Sequence, residues 1–471
     1  MFMALEDLSK IYGKVFSMQL GCRSTIVLCD KKSVKEAFVK KAKDFAGRPQ
    51  IQTFLESYQG SFGLGLVDYN DQLISNRKLI TSGIHKFMID QQNLHRILNV
   101  EKQKIEVLLD DYLEESHAFF PMDIFSKIVP SIIITMMFGL DLPYSDPQMV
   151  HLVSCFRDWI TCLEADNPAD FIPLLTYLPN SRLSTIRSKT KDIRSVVFKM
   201  ICSRIKILKN EEKEQVKEYE AIIDLMVRDD LSVFDDERFS QVFTQIVIDV
   251  MGAGFDTSSS AASWGVLYLA QKPEAVIKCR DELSKLSGGE EKDCLVDVEV
   301  VKKRCPYFMA TLYEILRKST VSPLGILHKT TCDTSIQGYA VTKGTIVITN
   351  LPQINHDPEE WPEPGEFRPE RFLVDINNKD CCEYQINESK RKSSESRPFT
   401  LNQKVCNGIA TFSSGLRRCP GDRIALSMLC LLLGTLIQRY DFELLKSPED
   451  MVSTPGIFSK PKHYLIKLNK L

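Results

Sequence analysis

No Cys-x-x-Cys pair and no His-Glu-x-x-His segment occurs in the 471 residues, and histidine numbers only seven. A structural zinc site therefore has no ligand set to build on. Long apolar runs are missing too: the longest uncharged stretches, Thr257–Gln271 and Ile424–Gln438, have fifteen residues each. Both fall short of the ~20 that a spanning helix needs. The opening stretch Met1–Gly13 is charged by its sixth residue and has no apolar centre, so it reads as neither signal peptide nor anchor. An excess of one charge is also lacking, since 60 Lys+Arg face 62 Asp+Glu for a net charge of -2. A nucleic-acid binder would carry a basic stripe. No repeat is visible. What is present, 44% apolar and 26% charged residues, is the globular norm. Fourteen scattered cysteines form no framework and read as reduced thiols facing the cytosol. The length would divide into about three domains of ~150 residues. A large α-rich domain enclosing a cofactor breaks that rule, and a single domain over 1–471 is the expectation.

Most of the first 320 residues reads helical, with Leu94, Ile97, Leu98, Ile105 and Leu108–Leu109 recurring at three and four. A strand-like pair, Val15–Leu20 and Thr25–Cys29, precedes that run. Residues 167–180 carry three prolines and predict a turn-rich connection. The charged patch 209–219 reads as a solvated helix end or loop. Phe239 to about Lys272 predicts one mostly apolar helix of roughly nine turns, crossing the interior with Gly252 and Gly254 at its middle. Another helix is expected over Pro306–Lys318. Ile336–Val341 and Thr345–Thr349 then read as a hairpin around Lys343-Gly344. Residues 355–372 predict irregular chain, and polar 374–400 reads as a mobile surface insertion. A final helix follows Cys419. The class is mainly α with a small β portion.

The strongest local signal is Phe412–Gly421, Phe-Ser-Ser-Gly-Leu-Arg-Arg-Cys-Pro-Gly. Pro420 suits the first position of the apolar helix that follows. Cys419 then sits at a helix N-terminus, where free N–H groups and the dipole favour a thiolate. Gly415 and Gly421 allow backbone to approach a flat ligand, and Arg417 adds positive charge. That is the setting of a cysteinate ligand, although a lone cysteine more simply reads as buried and inert. Glu314 and Arg317 share a helical face and alone read as an exposed ion pair. Asp256-Thr257 puts an acid inside an apolar helix, which is costly unless the acid is paired or wet. Thr257 alone reads as returning its hydroxyl to the carbonyl four residues back, and His328 alone as structural. Gly60-x-x-Gly63-x-Gly65 reverses the dinucleotide fingerprint, so NADPH is expected on a partner.

The spacing of Phe412, Gly415, Arg417, Cys419 and Gly421 resembles the haem-binding loop of the cytochrome P450 superfamily. Three further matches follow that family's chain order. Glu314-Ile-Leu-Arg317 resembles its Glu-x-x-Arg, Pro369-Glu-Arg-Phe372 its Pro-x-Arg-Phe, and Ala253-Gly-Phe-Asp-Thr257 its oxygen-activating stretch. The resemblance runs from about Leu5 to the C-terminus. Residues 167–180 are similar to the same segment of the family 1 aromatic-hydrocarbon hydroxylases. Gly252–Thr257 and Gln353–Asp357 resemble these and the related steroid 17-alpha-hydroxylases.

The resemblance implies haem b between the central helix and the Cys419 loop, with Cys419 as axial iron ligand. It implies that Glu314, Arg317 and Arg371 lock into a buried trio, which must be complete because a lost partner leaves a buried charge unpaired. His328 and Arg77 match positions that contact haem propionates. Four residues before Arg77, where the family usually has Trp, stands Leu73. Thr257 is assigned to the hydrogen-bond network around oxygen and Asp256 to proton relay, with Gly252, Ala253 and Ile326 bordering the substrate. The implied reaction inserts one atom of O2 into a lipophilic substrate, xenobiotic aromatic or steroid. Electrons come from NADPH through cytochrome P450 reductase, with cytochrome b5 a second donor. The implied place is the cytosolic face of the endoplasmic reticulum membrane, although the anchor and hinge that microsomal relatives carry before Leu5 are not in this sequence. A haem-thiolate isomerase or peroxygenase and a non-catalytic haem-binding protein are the alternatives.

Overall fold

The computed structural model describes residues 2–115, 118–164, 167–209, 220–227, 231–286, 297–375, 399–446, 453–454 and 457–471. The charged patch from 210 onward and residues 376–398 of the expected insertion lie outside these. The helices that matter to the site are α1 (Asp71–Ile89), α2 (Gln91–Glu115), α3 (Pro121–Phe138), α4 (Pro147–Glu164), α5 (Ser181–Lys209), α6 (Glu237–Ala270), α7 (Pro306–Ser319) and α8 (Asp422–Arg439). Their apolar spacing is what buries them. On α2, Leu94, Ile97, Leu98, Ile105 and Leu109 all stand in the core, as a stripe at three and four requires.

Helix α6 is the axis. Asp236 caps it by accepting from the Arg238 and Phe239 backbone N–H groups, as a short acid at an N-cap does. It packs lengthwise on α3, where Gly254 leaves room for Ile133 (a Cβ there would stand 2.6 Å from Cδ1). Helix α3 is long and apolar enough to cross a membrane by length and composition, but most of it is buried within the protein. Such burial is what a core helix shows.

The small β portion is a four-stranded sheet in the order β1 (Val15–Leu20), β2 (Arg23–Leu28), β6 (Ile346–Thr349), β3 (His328–Lys329). The expected hairpin forms differently. Between β3 and β6 lie β4 (Thr334–Ile336) and β5 (Tyr339–Val341), which pair with each other around Gln337-Gly338. Both turn residues have positive φ, 48° and 86°, the geometry of a tight two-residue hairpin loop. All four residues of β6 are buried, so that strand is drawn into the sheet, parallel to β2. The final helix also starts later than expected. Gly421 is its cap and Asp422 its first residue, so Pro420 precedes the helix instead of opening it. Residues 168–177 form two short 3-10 turns, matching the proline content there.

Candidate functional site

The loop 412–421 is tied by its own backbone: the Cys419 N–H donates to the Phe412 carbonyl at 3.0 Å and the Arg418 N–H to the Gly415 carbonyl at 3.2 Å. Ser413 and Gly415 both take positive φ, 55° and 69°. At Gly415 a side chain is excluded twice over, because a Cβ would fall 1.7 Å from the Phe38 carbonyl oxygen. Cys419 keeps accessible surface although protein surrounds it. Burial, and secondarily the Asp422 carboxylate, push its thiol up, while the Gly421 N–H and the nearby Arg77 and Arg418 guanidinium groups pull it down. The thiolate is thus favoured by local donors and opposed by low polarity, a balance that a bound cation would settle.

Three arginines and a histidine converge beside this loop. Arg417 donates Nε to the Ala46 carbonyl at 2.8 Å, Nη1 to Leu64 at 3.2 Å and Nη2 to Val67 at 2.8 Å. Arg77 donates to the Arg418 carbonyl at 2.6 Å. Arg48, which the sequence reading did not single out, donates to the Gly65 carbonyl at 2.8 Å and the Leu327 carbonyl at 2.9 Å. Burial lowers all three; repulsion from Arg417 and Arg77 lowers Arg48 further, and repulsion from Arg77 helps bring Arg417 to about 10, whereas Cys419 acts to raise Arg77. The acid that faces them is Asp68, and Lys329 already holds it at 2.6 Å. Among the described residues the cluster carries more positive charge than its carboxylates offset. That surplus fits the two propionate carboxylates of a haem, which would turn repulsion into charge-assisted hydrogen bonds.

His328 enters this cluster as a neutral ring. Its Nδ1–H donates to the Phe45 carbonyl at 2.7 Å, the ring stacks on Phe38 at 4.1 Å between centroids, and burial with Arg48 and Arg417 holds its pKa well below 6.5. In that tautomer Nε2 presents a lone pair. A propionate contact from His328 therefore requires the ring to gain a proton, which the carboxylate would favour.

Residues 63–67 join the arginines to α6. Asp249 Oδ2 accepts from the Leu64 N–H at 2.5 Å, the Gly65 N–H at 3.1 Å and the Tyr58 hydroxyl, while Oδ1 accepts from Gln245 at 3.0 Å. The peptide N–H groups of this strap face the acid, and its carbonyls face Arg48 and Arg417. Asp249 is the same anomaly as Asp256, an acid inside an apolar helix, and that signal was there to be followed. Gly63 is required at the contact, because a Cβ would stand 2.4 Å from Asp249 Oδ2.

In the middle of α6, Asp249, Val250, Ala253, Gly254, Asp256 and Thr257 escape full burial. All but Asp256 recur at three and four residues, which is one accessible face on a buried helix. Thr257 Oγ1 donates to the Ala253 carbonyl at 2.6 Å. Asp256 Oδ2 pairs with Lys460 at 2.6 Å, a partner contributed by the C-terminal segment. Gly252 turns another way, its notch filled by Phe156 and Trp159. Ile326 is 42% exposed, with its Cδ1 3.8 Å from the Cβ position of Gly65.

Glu314 and Arg317 form a bidentate pair at 2.7 and 2.9 Å, fully buried, and Arg371 Nε reaches Glu314 at 3.2 Å. The two guanidinium groups exceed the one carboxylate, and backbone carbonyls of Asn355, Pro362, Glu363, Pro364 and Glu366 take the remaining N–H donors. Asn355 carries this order forward, since its Oδ1 accepts from the Ala410 N–H at 3.2 Å, just before Phe412. Asn355 and Lys460 leave no sequence signature: one accepts through its carbonyl oxygens, and the other is remote along the chain.

A family profile described as Cytochrome P450 matches residues 1–468. Cytochrome P450 1A1 of Sparus aurata is 30% identical over 471 residues, covering 98% of this chain and 85% of the relative. Cytochrome P450 1A1 of Platichthys flesus is 30% identical over 476 residues, and cytochrome P450 1A2 of Balaenoptera acutorostrata 28% over 468. With the profile spanning nearly every residue and the Cys419 loop folded as described, this chain belongs to the cytochrome P450 family.

Proposed function

We propose that this haem-thiolate monooxygenase oxidises a lipophilic substrate, xenobiotic aromatic or steroid, with electrons from NADPH delivered by cytochrome P450 reductase and, as a second donor, cytochrome b5. Cys419 would hold the haem iron, and Arg77, Arg48 and Arg417 would meet its propionates. The observation that carries the reading is an accessible cysteine held by Gly421 and flanked by uncompensated guanidinium charge. Haem bound there supplies O2 activation, with the thiolate favouring O–O cleavage. The chain's own residues do the rest. Ala253 and Ile326 bound the space for substrate, Thr257 holds a hydroxyl at its edge, and Asp256 passes protons inward from the Lys460 side. The exposed apolar residues Leu174, Tyr177 and Leu178, at 74%, 86% and 60%, support contact with the endoplasmic reticulum membrane. Reconstitution with the reductase tests the proposal. Product that depends on NADPH and O2 together supports it; turnover of a hydroperoxide without reductase favours the isomerase or peroxygenase alternative, and no turnover the non-catalytic one.

A further inference from the structure

A cleft of about 320 Å³ opens where α6 ends, a volume in the range of small-molecule sites. Tyr268, Gln271 and Lys272 wall it from that end, Lys318 from α7, and His356 with Gly365–Phe367 from the chain after β6. None of the residues placed at the Cys419 loop or on the accessible face of α6 lines it.

Lys318 is a cation without a counter-ion. Its ammonium donates to the Gly365 carbonyl and lies 5.7 Å from the centre of the Tyr268 ring, yet among the described residues no carboxylate pairs with it. The last carbonyls of α7 do not hold it either, since Thr320 takes those of Leu316 and Arg317. Burial, then repulsion from Arg317, pushes its pKa down to about 8, as expected where the charged form is poorly compensated. Lys272 is paired loosely, 4.0 Å from Glu366 and 3.8 Å from Glu274. Gly365 and Glu366 are consecutive, so the two ammonium groups flank one stretch of backbone.

His356 adds no charge, because its Nδ1–H donates to the Pro352 carbonyl at 2.9 Å and its pKa is held at about 4. Behind the wall, Arg317 and Arg371 share the one carboxylate of Glu314. Four cations thus face three carboxylates. A single negative charge would balance the cleft, and a dianion would exceed it. The apolar side comes from Tyr268 and Phe367, whose rings stack at 5.3 Å. We propose that this cleft is a binding site, separate from the haem site, for a small aromatic monocarboxylate. The carboxylate lies between Lys318 and Lys272, and the ring lies against Tyr268 and Phe367.

The test compares 2-naphthoate with 2-naphthamide, which keeps the shape and loses the charge. Each is titrated calorimetrically into the haem-loaded full chain saturated with 4-phenylimidazole, an iron ligand that fills the haem side. The carboxylate should bind about tenfold more tightly than the amide. Lys318→Met keeps the stem over Tyr268 and should erase most of that preference, as loss of a charge-assisted hydrogen bond implies. Gly365→Leu tests the space without touching charge. Gly365 has no positive φ and nothing within 4 Å of its Cβ position, so the new side chain enters the cleft and should block both compounds. Urea midpoints near that of the unsubstituted chain establish that the variants are folded. An unchanged affinity in either folded variant overturns the site, as does absence of 2-naphthoate binding to the unsubstituted chain. Binding that appears only without 4-phenylimidazole overturns it too, by placing the carboxylate at the haem. Displacement of 2-naphthoate by an equal concentration of inorganic phosphate overturns the ligand class.

Discussion

Lys460 Nζ stands 2.6 Å from Asp256 Oδ2, tying the C-terminal segment to the middle of α6. Beside this pair, Thr257 already spends its hydroxyl hydrogen on the Ala253 carbonyl. A relay through them needs Asp256 to swing between Lys460 and the interior. Asp256→Asn and Thr257→Ala should therefore uncouple electron flow: NADPH consumption continues, product per NADPH falls by roughly tenfold or more, and peroxide rises. Lys460→Met should lower coupling less, because the carboxylate stays. Unchanged product yield in all three variants would leave the pair a structural one.

Cys419 as iron ligand predicts a far-red-shifted Soret band for the reduced carbon monoxide complex, the signature of a thiolate. Cys419→His should lose it while the fold persists, since the Cys419 side chain is exposed at the loop surface. Retention of the same band in Cys419→His sinks the assignment.

Glu314 is the one carboxylate facing two buried guanidinium groups, at 2.7 Å and 3.2 Å. Glu314→Gln leaves both charges uncompensated, so unfolding by urea should show a loss of about 3–5 kcal/mol. Haem content should fall with it, because Asn355, held by Arg317, in turn holds Ala410 at the entrance to the Cys419 loop. A midpoint within experimental error of the unsubstituted chain would contradict the trio's role.

What could be read in the sequence was local. The strand Val15–Leu20, a second strand expected over Thr25–Cys29 and found at Arg23–Leu28, the long α6 and the turns of 168–177 follow from residue periods and prolines. What could not be read depends on distant pairing. Ile346–Thr349 looked like half of a hairpin because Lys343-Gly344 offers a turn. Its partners, β2 and β3, are chosen by burial of both faces, which neighbouring residues do not encode. The site divides the same way. Phe412, Gly415 and Cys419 are legible because their loop is continuous, whereas Arg48, Asp249 and Lys460 act through carbonyls or partners far along the chain.

Histidine 356 gives a pH dependence. Burial, Arg317 and neighbouring cations lower its pKa to about 4. Above the ordinary 6.5 it is neutral folded or unfolded and contributes nothing to the pH slope. Below 6.5 the unfolded chain takes up a proton that the folded one refuses, so stability falls with pH until about 4, by roughly 3 kcal/mol in full. His328, also held low, adds a loss of the same sign. Urea midpoints between pH 7 and 4 should show this fall, shallower in His356→Gln. An acid limb of equal steepness in that variant would place the proton uptake elsewhere.

Leu73 and Arg77 lie one turn apart on α1, but their side chains meet different surroundings. Leu73 is only 1% exposed, while the Arg77 guanidinium donates to the Arg418 carbonyl at 2.6 Å, one residue before Cys419. Where relatives of this family carry a Trp that offers an indole N–H, this chain offers a packed methyl group and no donor. On the proposed haem placement, Arg77 would then carry more of the propionate contact. A charge-assisted hydrogen bond contributes about 1.5–3 kcal/mol, so Arg77→Ala should speed haem transfer to an apo-globin acceptor by roughly 10-fold to 150-fold. Leu73→Trp puts a large ring into a filled core, at a cost of about 1–3 kcal/mol. That cost offsets the added donor, so haem loss in Leu73→Trp should be no slower than in the unsubstituted chain. Transfer from Arg77→Ala at the unsubstituted rate would show that Arg48 and Arg417 suffice to hold the propionates without it.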